Sequence, residues 1–551
     1  MEAIVLYAMI KQISKLSILQ HAVLLIYTLL VIFFFFVYMG KLPHITYFHE
    51  QHHLFLFSKN YFYDILYSKG LLEYITNFVI QFFYYQWLGC LLLALLLSSV
   101  YALTAYSVRR ITGTTDYLHL GLLPVIYLFL QAVTVDYNIS EIVGVLITLS
   151  VVAVFVTVIS GRLKYPVAIV GCLVLLTFIS WKIIMGVMLI TSLSVLSAYF
   201  IRSRENKFLL MITCLVLIAY AGVGNYFFTK KYRVDEKYMI LAKKSAVEKN
   251  WDETLSITKR YLAYEHRNLL MAYYHNMALF HAGQLGDKML DVPQIFGTTS
   301  LCFLWRSNSR DTEYGYDAYY ELGHWNAALR WAFEAMVVWG ETAPCLIKLA
   351  ECNIKIGKTA VAQNYINVLK QSLFYGDTAK ELESAYESEK NREFASDGIN
   401  ADNKARFMRK DNLLWDLELL CDKNPDNRMA FEYYMSALLL NNYVLDFAQN
   451  IYRIKVFDYK KMPRIYEEAL CICKAMEKEE FDKLGLDVSL ETEARFKRYY
   501  LLFRQGDKEG LRREFGNSYW YYIHVVSPNG NQILRRQEDE LDVPAGEGLD
   551  H

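Results

Sequence analysis

The residues best suited to chemistry sit in two short polar stretches between apolar runs. The first holds His44, His49, Glu50, His52 and His53, followed by Asp64 and Glu73. The second is Asp136-Tyr-Asn-Ile-Ser-Glu141. Paired carboxylates at a membrane face can hold a divalent metal or serve as general base. On that ground Glu50, Asp136 and Glu141 are the catalytic candidates. His52, His53 and the isolated Lys182 are the candidates for touching a substrate. Each has a plainer reading: solvated loop acids, and interfacial or helix-capping histidines. The histidine spacing fits no metal template, so a divalent metal stays an open cofactor and nothing more. No P-loop, GxSxG, HExxH or GxGxxG pattern occurs anywhere in the 551 residues.

The elements that must position these residues are apolar. Charges are sparse before residue 229 and frequent after it, although the chain as a whole is net neutral. A neutral chain has no global field to draw it to nucleic acid. A spanning helix needs about 20 apolar residues. Clean runs lie near 19–40, 86–108, 117–135, 142–161 and 208–228. The run 166–201 would be about 54 Å long as one helix. It therefore reads as a hairpin, 166–181 and 183–201, turning near Lys182 and Gly186. Arg162 and Lys164 before it, and Arg202, Arg204 and Lys207 after it, want the same side.

Seven spans result. Lys11, Lys15, Arg109 and Arg110 join those clusters on the cytoplasmic side, against the contrary trio Lys230, Lys231 and Arg233. The loop 41–85, the loop 136–141 and all residues after 229 fall outside, in the periplasm of a two-membrane bacterium. The first apolar run exceeds a signal-peptide core and is expected to stay as an anchor. Residues 60–85 read as one or two helices along the outer surface, with Trp87 at the membrane edge.

Residues 229–530 read as successive helices. Gly323 and Ala328 recur as Gly357 and Ala362, an offset of 34 residues, and Ala335 and Leu369 share the next position. Glycine ends one helix and alanine lets the next pack closely, which is the tetratricopeptide (TPR) mechanics. Gly283 and Gly506 mark weaker units, and Trp251 the start of another second helix. Trp325, Trp331, Trp339, Tyr319 and Tyr320 form a stripe that is core before it is groove. Residues 389–405 read as a loop between repeat blocks, and 531–551 as a disordered acidic tail. The expected fold is all-α: a transmembrane bundle over 1–228, then a soluble TPR-like α-solenoid. Such a solenoid commonly holds a protein or peptide partner. Of nine cysteines, three lie in apolar segments and six in the soluble part, as buried small hydrophobes and not a disulfide framework.

This arrangement resembles the GT-C glycosyltransferases in residues 19–228. The resemblance implies a lipid-linked sugar as substrate, with Glu50 as the first-loop acid and Asp136 or Glu141 as the second-loop acid. The stretch 136–141 is not a DxD. The stretches Lys69-Gly70-Leu-Leu-Glu73-Tyr74 and Gln81-Phe82-Phe83-Tyr84-Tyr85 are similar to the first-loop signature of an uncharacterised membrane family of Bacteroidota. Its members pair such a half with a repeat-like C-terminal half, which implies architecture and no reaction. The alternative function is a non-catalytic membrane anchor for a periplasmic repeat scaffold that recruits envelope proteins.

Overall fold

The computed structural model describes residues 23–114, 116, 118–158, 171, 179–201, 207–265, 267–304, 311–395 and 412–534. Helices dominate, and no strand occurs among the described residues. Most of the expected span 166–181 lies outside them. So do Lys11, Lys15, Arg162, Lys164, Arg202 and Arg204, residues 396–405 of the expected loop, and the tail past Leu534. The chain forms two compact units. One comprises residues 1–237 with Val368–Ala379, the other Tyr238–Asn367 with Lys380 onward.

Among the described residues of the first unit, five helices are long and apolar enough to cross a membrane. They are α1 (Val23–Gly40), α5 (Gln86–Thr112), α7 (Ser140–Val158), α8 (Trp181–Ile201) and α9 (Lys207–Lys231). Their outward faces carry exposed Leu25, Phe33 and Phe36 on α1, Leu189 on α8 and Ile218 on α9. Apolar surface of that extent is unfavourable in water, at about 25 cal/mol per Å², and is at home in hydrocarbon. The core is built on α5. Leu93, Leu97, Val100 and Tyr101 are fully buried where α5 meets α6 (Leu122–Gln131), α7 and α8.

Two details depart from the expected spans. The expected span 117–135, of which residue 117 lies outside the described residues, contains only a ten-residue helix, α6 (Leu122–Gln131). At about 15 Å it covers half of a hydrocarbon core. His119 turns the chain left-handed just before it, with φ of 45°. Turns occupy residues 132–137 after it, where Asn138 Oδ1 accepts the Ser140 amide at 2.8 Å to start α7. The turn expected near Lys182 and Gly186 does not lie there: Lys182 is the second residue of α8 and Gly186 lies inside that helix.

The loop between α1 and α5, residues 41–85, is built of short helices. Helix α2 (Pro43–His52) opens on a proline, whose fixed φ suits a first helical position. Residues 53–57 form neither helix nor strand, and α3 (Lys59–Ser68) is capped by Ser58 Oγ on the Tyr61 amide at 3.1 Å. Helix α4 (Leu71–Ile80) runs into a short 3-10 turn, Gln81–Tyr84, that leads to α5. Phe55 packs among Phe57, Tyr61, Tyr74 and Phe78 at centroid separations of 4.9–5.4 Å and fixes the loop. A Cβ on Gly89 would stand 2.9 Å from Phe83 Cα, so only glycine lets the turn approach α5 so closely.

The second unit is a run of helix pairs. Thr312–Glu321 packs on Trp325–Trp339, and Ala343–Lys355 is followed by Thr359–Leu369. Gly323 and Gly357, at φ of 76° and 77°, end the first helix of each pair. Ala328, Ala335, Ala362 and Leu369 are all fully buried. Trp331 and Tyr319 are core, and the Trp331 ring fills the space beside Gly315. Asn427 Nδ2 donates to Leu322 O at 2.9 Å and joins the later helices to this pair. Helix continues through Gly376–Ala395, where part of a loop was expected. At the C-terminal end, Asn442 Nδ2 holds Gly530 O and Gln532 O, each at 3.0 Å. The first residues of the expected tail are thereby tied down. The described cysteines are free, and all are buried except Cys214 on α9.

Candidate functional site

The candidate residues other than Asp136 fall into two places in the first unit. Glu50 is buried near the end of α2. Gln51 Nε2 donates to its carboxylate at 2.6 Å, and the Tyr375 hydroxyl donates to the other oxygen. Burial raises the Glu50 pKa, and both hydrogen bonds oppose that shift by favouring the anion. Tyr375 lies in Val368–Ala379, a twelve-residue excursion out of the helix pairs. Its neighbour Phe374 stacks on Tyr84 at 5.2 Å and meets Tyr85 edge-on. The Phe57 amide donates to Gln371 O at 2.8 Å.

Four histidines lie on or directly after α2. His52 stacks on Phe48 at 4.0 Å, and its Nδ1 lies 2.8 Å from Phe48 O. His53 Nδ1 lies 2.8 Å from His49 O. His44 and His49 are buried with no partner at Nδ1. Burial holds both in the neutral form, His44 down to about 3 with help from nearby Lys237, and His49 well below the usual range. Among the described residues no group of three or more His, Cys, Asp or Glu side chains could hold a metal ion.

The second place is a cavity of about 630 Å³ bounded by α6, α7 and α8, with Leu72 of α4 at its edge. Its polar end carries Asn138, Ser140, Glu141, Ser180 and Lys182, and its walls include Leu128, Val145, Leu149 and Ile190. Glu141 and Lys182 are each the second residue of their helix. The amino ends of α7 and α8 therefore open on one cavity, and both helix dipoles favour an anion there. Lys182 adds a full positive charge. Asn138 Nδ2 reaches Glu73 Oε2 at 3.4 Å, which links α4 to the turn before α7.

Sequence reasoning named Glu141 and Lys182 without any reason to place them together, and the fold does so. It does not join Glu50 to them: neither Glu50 nor Asp136 is among the described residues lining the cavity. Asp136 is exposed in the turn before α7. Tyr375 and Gln51 were missed. Tyr375 stands in a stretch whose only signal is an aromatic pair ahead of Gly376, some 300 residues from the loop it meets.

Fold and cavity define a class: a helical protein with several helices suited to a membrane, joined to a unit of packed helix pairs. The chain belongs to the family of unknown function DUF6057, whose model matches residues 14–244 and 225–526. No curated protein and no solved structure matches it.

Proposed function

We propose that the chain is an inner-membrane protein that seats a lipid-linked ligand in the cavity between α6, α7 and α8, with its C-terminal unit in the periplasm. The observation carrying this reading is the polarity of that one cavity. Hydrocarbon walls suit a lipid tail, and Lys182 with two helix amino ends suits a phosphate-bearing head. The likeness to GT-C enzymes extends the reading to transfer of a lipid-linked sugar. Glu141 then stands beside the head as the acid able to take a proton from an acceptor hydroxyl. Seven spans and a TPR-like solenoid belong to the same proposal.

The test is lipid mass spectrometry on protein purified in mild detergent. Polyprenyl-phosphate species should copurify with wild type and fall at least tenfold in Lys182→Ala. Equal recovery from both would overturn the ligand. Envelope glycans unchanged after loss of the gene would overturn the transferase. A C-terminal phosphatase fusion inactive in intact cells would overturn the topology.

A second reading is a membrane-anchored scaffold. A cleft of about 350 Å³ in the C-terminal unit favours it, lined by Asp287, Arg428, Asp458, Lys460 and Lys461. Charges of both signs at one cleft suit a peptide partner. Crosslinking in cells that recovers no reproducible protein would count against it.

A further inference from the structure

We propose that residues 371–375 are a strap: a detachable cover that controls access to the Glu50 carboxylate from the C-terminal half of the chain. The strap is fastened mainly by aromatic rings. Phe374 packs against Phe82, Tyr84 and Tyr85, Tyr375 meets the Tyr84 ring edge-on with its hydroxyl on Glu50, and Gln371 O accepts the Phe57 amide. No helix or sheet ladder ties it to the first outer loop. The contacts that fasten it also help to bury Glu50.

An acid removed from water is usually paired with a cation or left neutral. Glu50 instead receives two neutral donors, Gln51 and Tyr375, and only Gln51 belongs to its own helix. Removal of Tyr375 would leave the carboxylate with one donor and open it to solvent. Its pKa, held up by burial, would then return toward the ordinary carboxylate range. The strap runs directly from helix Thr359–Leu369 into helix Gly376–Ala395. A partner that displaces either helix would pull on the strap, so the strap can report events in the helix pairs to the first outer loop. The proposal does not depend on the ligand of the α6–α8 cavity.

The experiment is carboxyl footprinting of the full-length protein in nanodiscs, using a carbodiimide and glycine ethyl ester with peptide mass spectrometry. Exposed Asp64 of α3 is the internal reference. Wild-type Glu50 should label at least fivefold more slowly than Asp64. Tyr375→Phe, which keeps the ring, and Phe374→Ala, which removes the stack, should each raise Glu50 labelling at least threefold with Asp64 unchanged. Two results would overturn the strap: Glu50 labelling as fast as Asp64 in wild type, or Glu50 staying slow in both variants. A variant in which Asp64 also changes has lost its fold, and the other variant decides.

Discussion

The Tyr375 hydroxyl hydrogen-bonds the Glu50 carboxylate although 325 positions separate the two residues in the chain. The bond closes the loop 41–85 with a segment drawn from between two helices of the C-terminal half. A hydrogen bond to a charged group contributes about 1.5–3 kcal/mol, and such residues couple when both are changed. In hydrogen exchange of residues 371–375, Tyr375→Phe and Glu50→Gln should each speed exchange about tenfold. The double variant should be no faster than the faster single one. Additive effects would mean that the two residues act separately.

Lys182 and Glu141 should have opposite effects on an anionic ligand. Lys182→Ala removes the charge that faces the cavity's polar end and should weaken retention of a phosphate-bearing lipid. Glu141→Gln removes a competing negative charge, so the lipid should be kept while any transfer stops. Lipid mass spectrometry and envelope glycan profiles read the two effects separately. Loss of lipid in Glu141→Gln would remove that acid from its proposed role.

The C-terminal unit should lose stability in mild acid. Burial lowers both His275 and His324 to about 4. Below the unfolded value of about 6.5 the unfolded chain takes up protons that the folded chain refuses. The neutral-histidine stability is therefore complete above about pH 6.5 and falls as pH drops toward 4. Each histidine contributes a slope of up to about 1.4 kcal/mol per pH unit. Urea midpoints at pH 7.5, 6 and 5 should fall in that order. A flat profile would show that both rings titrate normally.

Gly315→Ala should destabilise the same unit. An added Cβ would lie 2.4 Å from Trp331 Cδ2, a ring that is itself buried. Overpacking of this kind costs about 1–3 kcal/mol. Gly323→Ala should also destabilise, for a different reason: its φ of 76° strains any residue with a side chain. Thermal unfolding checks both, and a second change of Trp331→Phe should relieve Gly315→Ala and leave Gly323→Ala unrelieved.

Much of the architecture is legible in composition and period. Runs such as 86–108 have no stable setting but hydrocarbon or a deep core. The 34-residue return of glycine and alanine marks helix ends because few other residues accept a left-handed backbone or so close an approach. Less legible was 117–135, where an apolar run long enough to span contains a turn at His119 and yields only α6. Hydropathy counts apolar residues and cannot see where backbone hydrogen bonds are broken.

The candidate site divides along the same line. Glu50, Glu141 and Lys182 stand out in the bare sequence because a charge beside an apolar run is costly and rare. Their partners do not stand out. Placing Glu141 with Lys182 took the packing of α7 against α8, and placing Tyr375 on Glu50 took a chain excursion that no local pattern encodes. Local chemistry determines which residues must be helical, apolar or exposed. Contacts between distant residues depend on how the helices pack, and only the tertiary structure decided them.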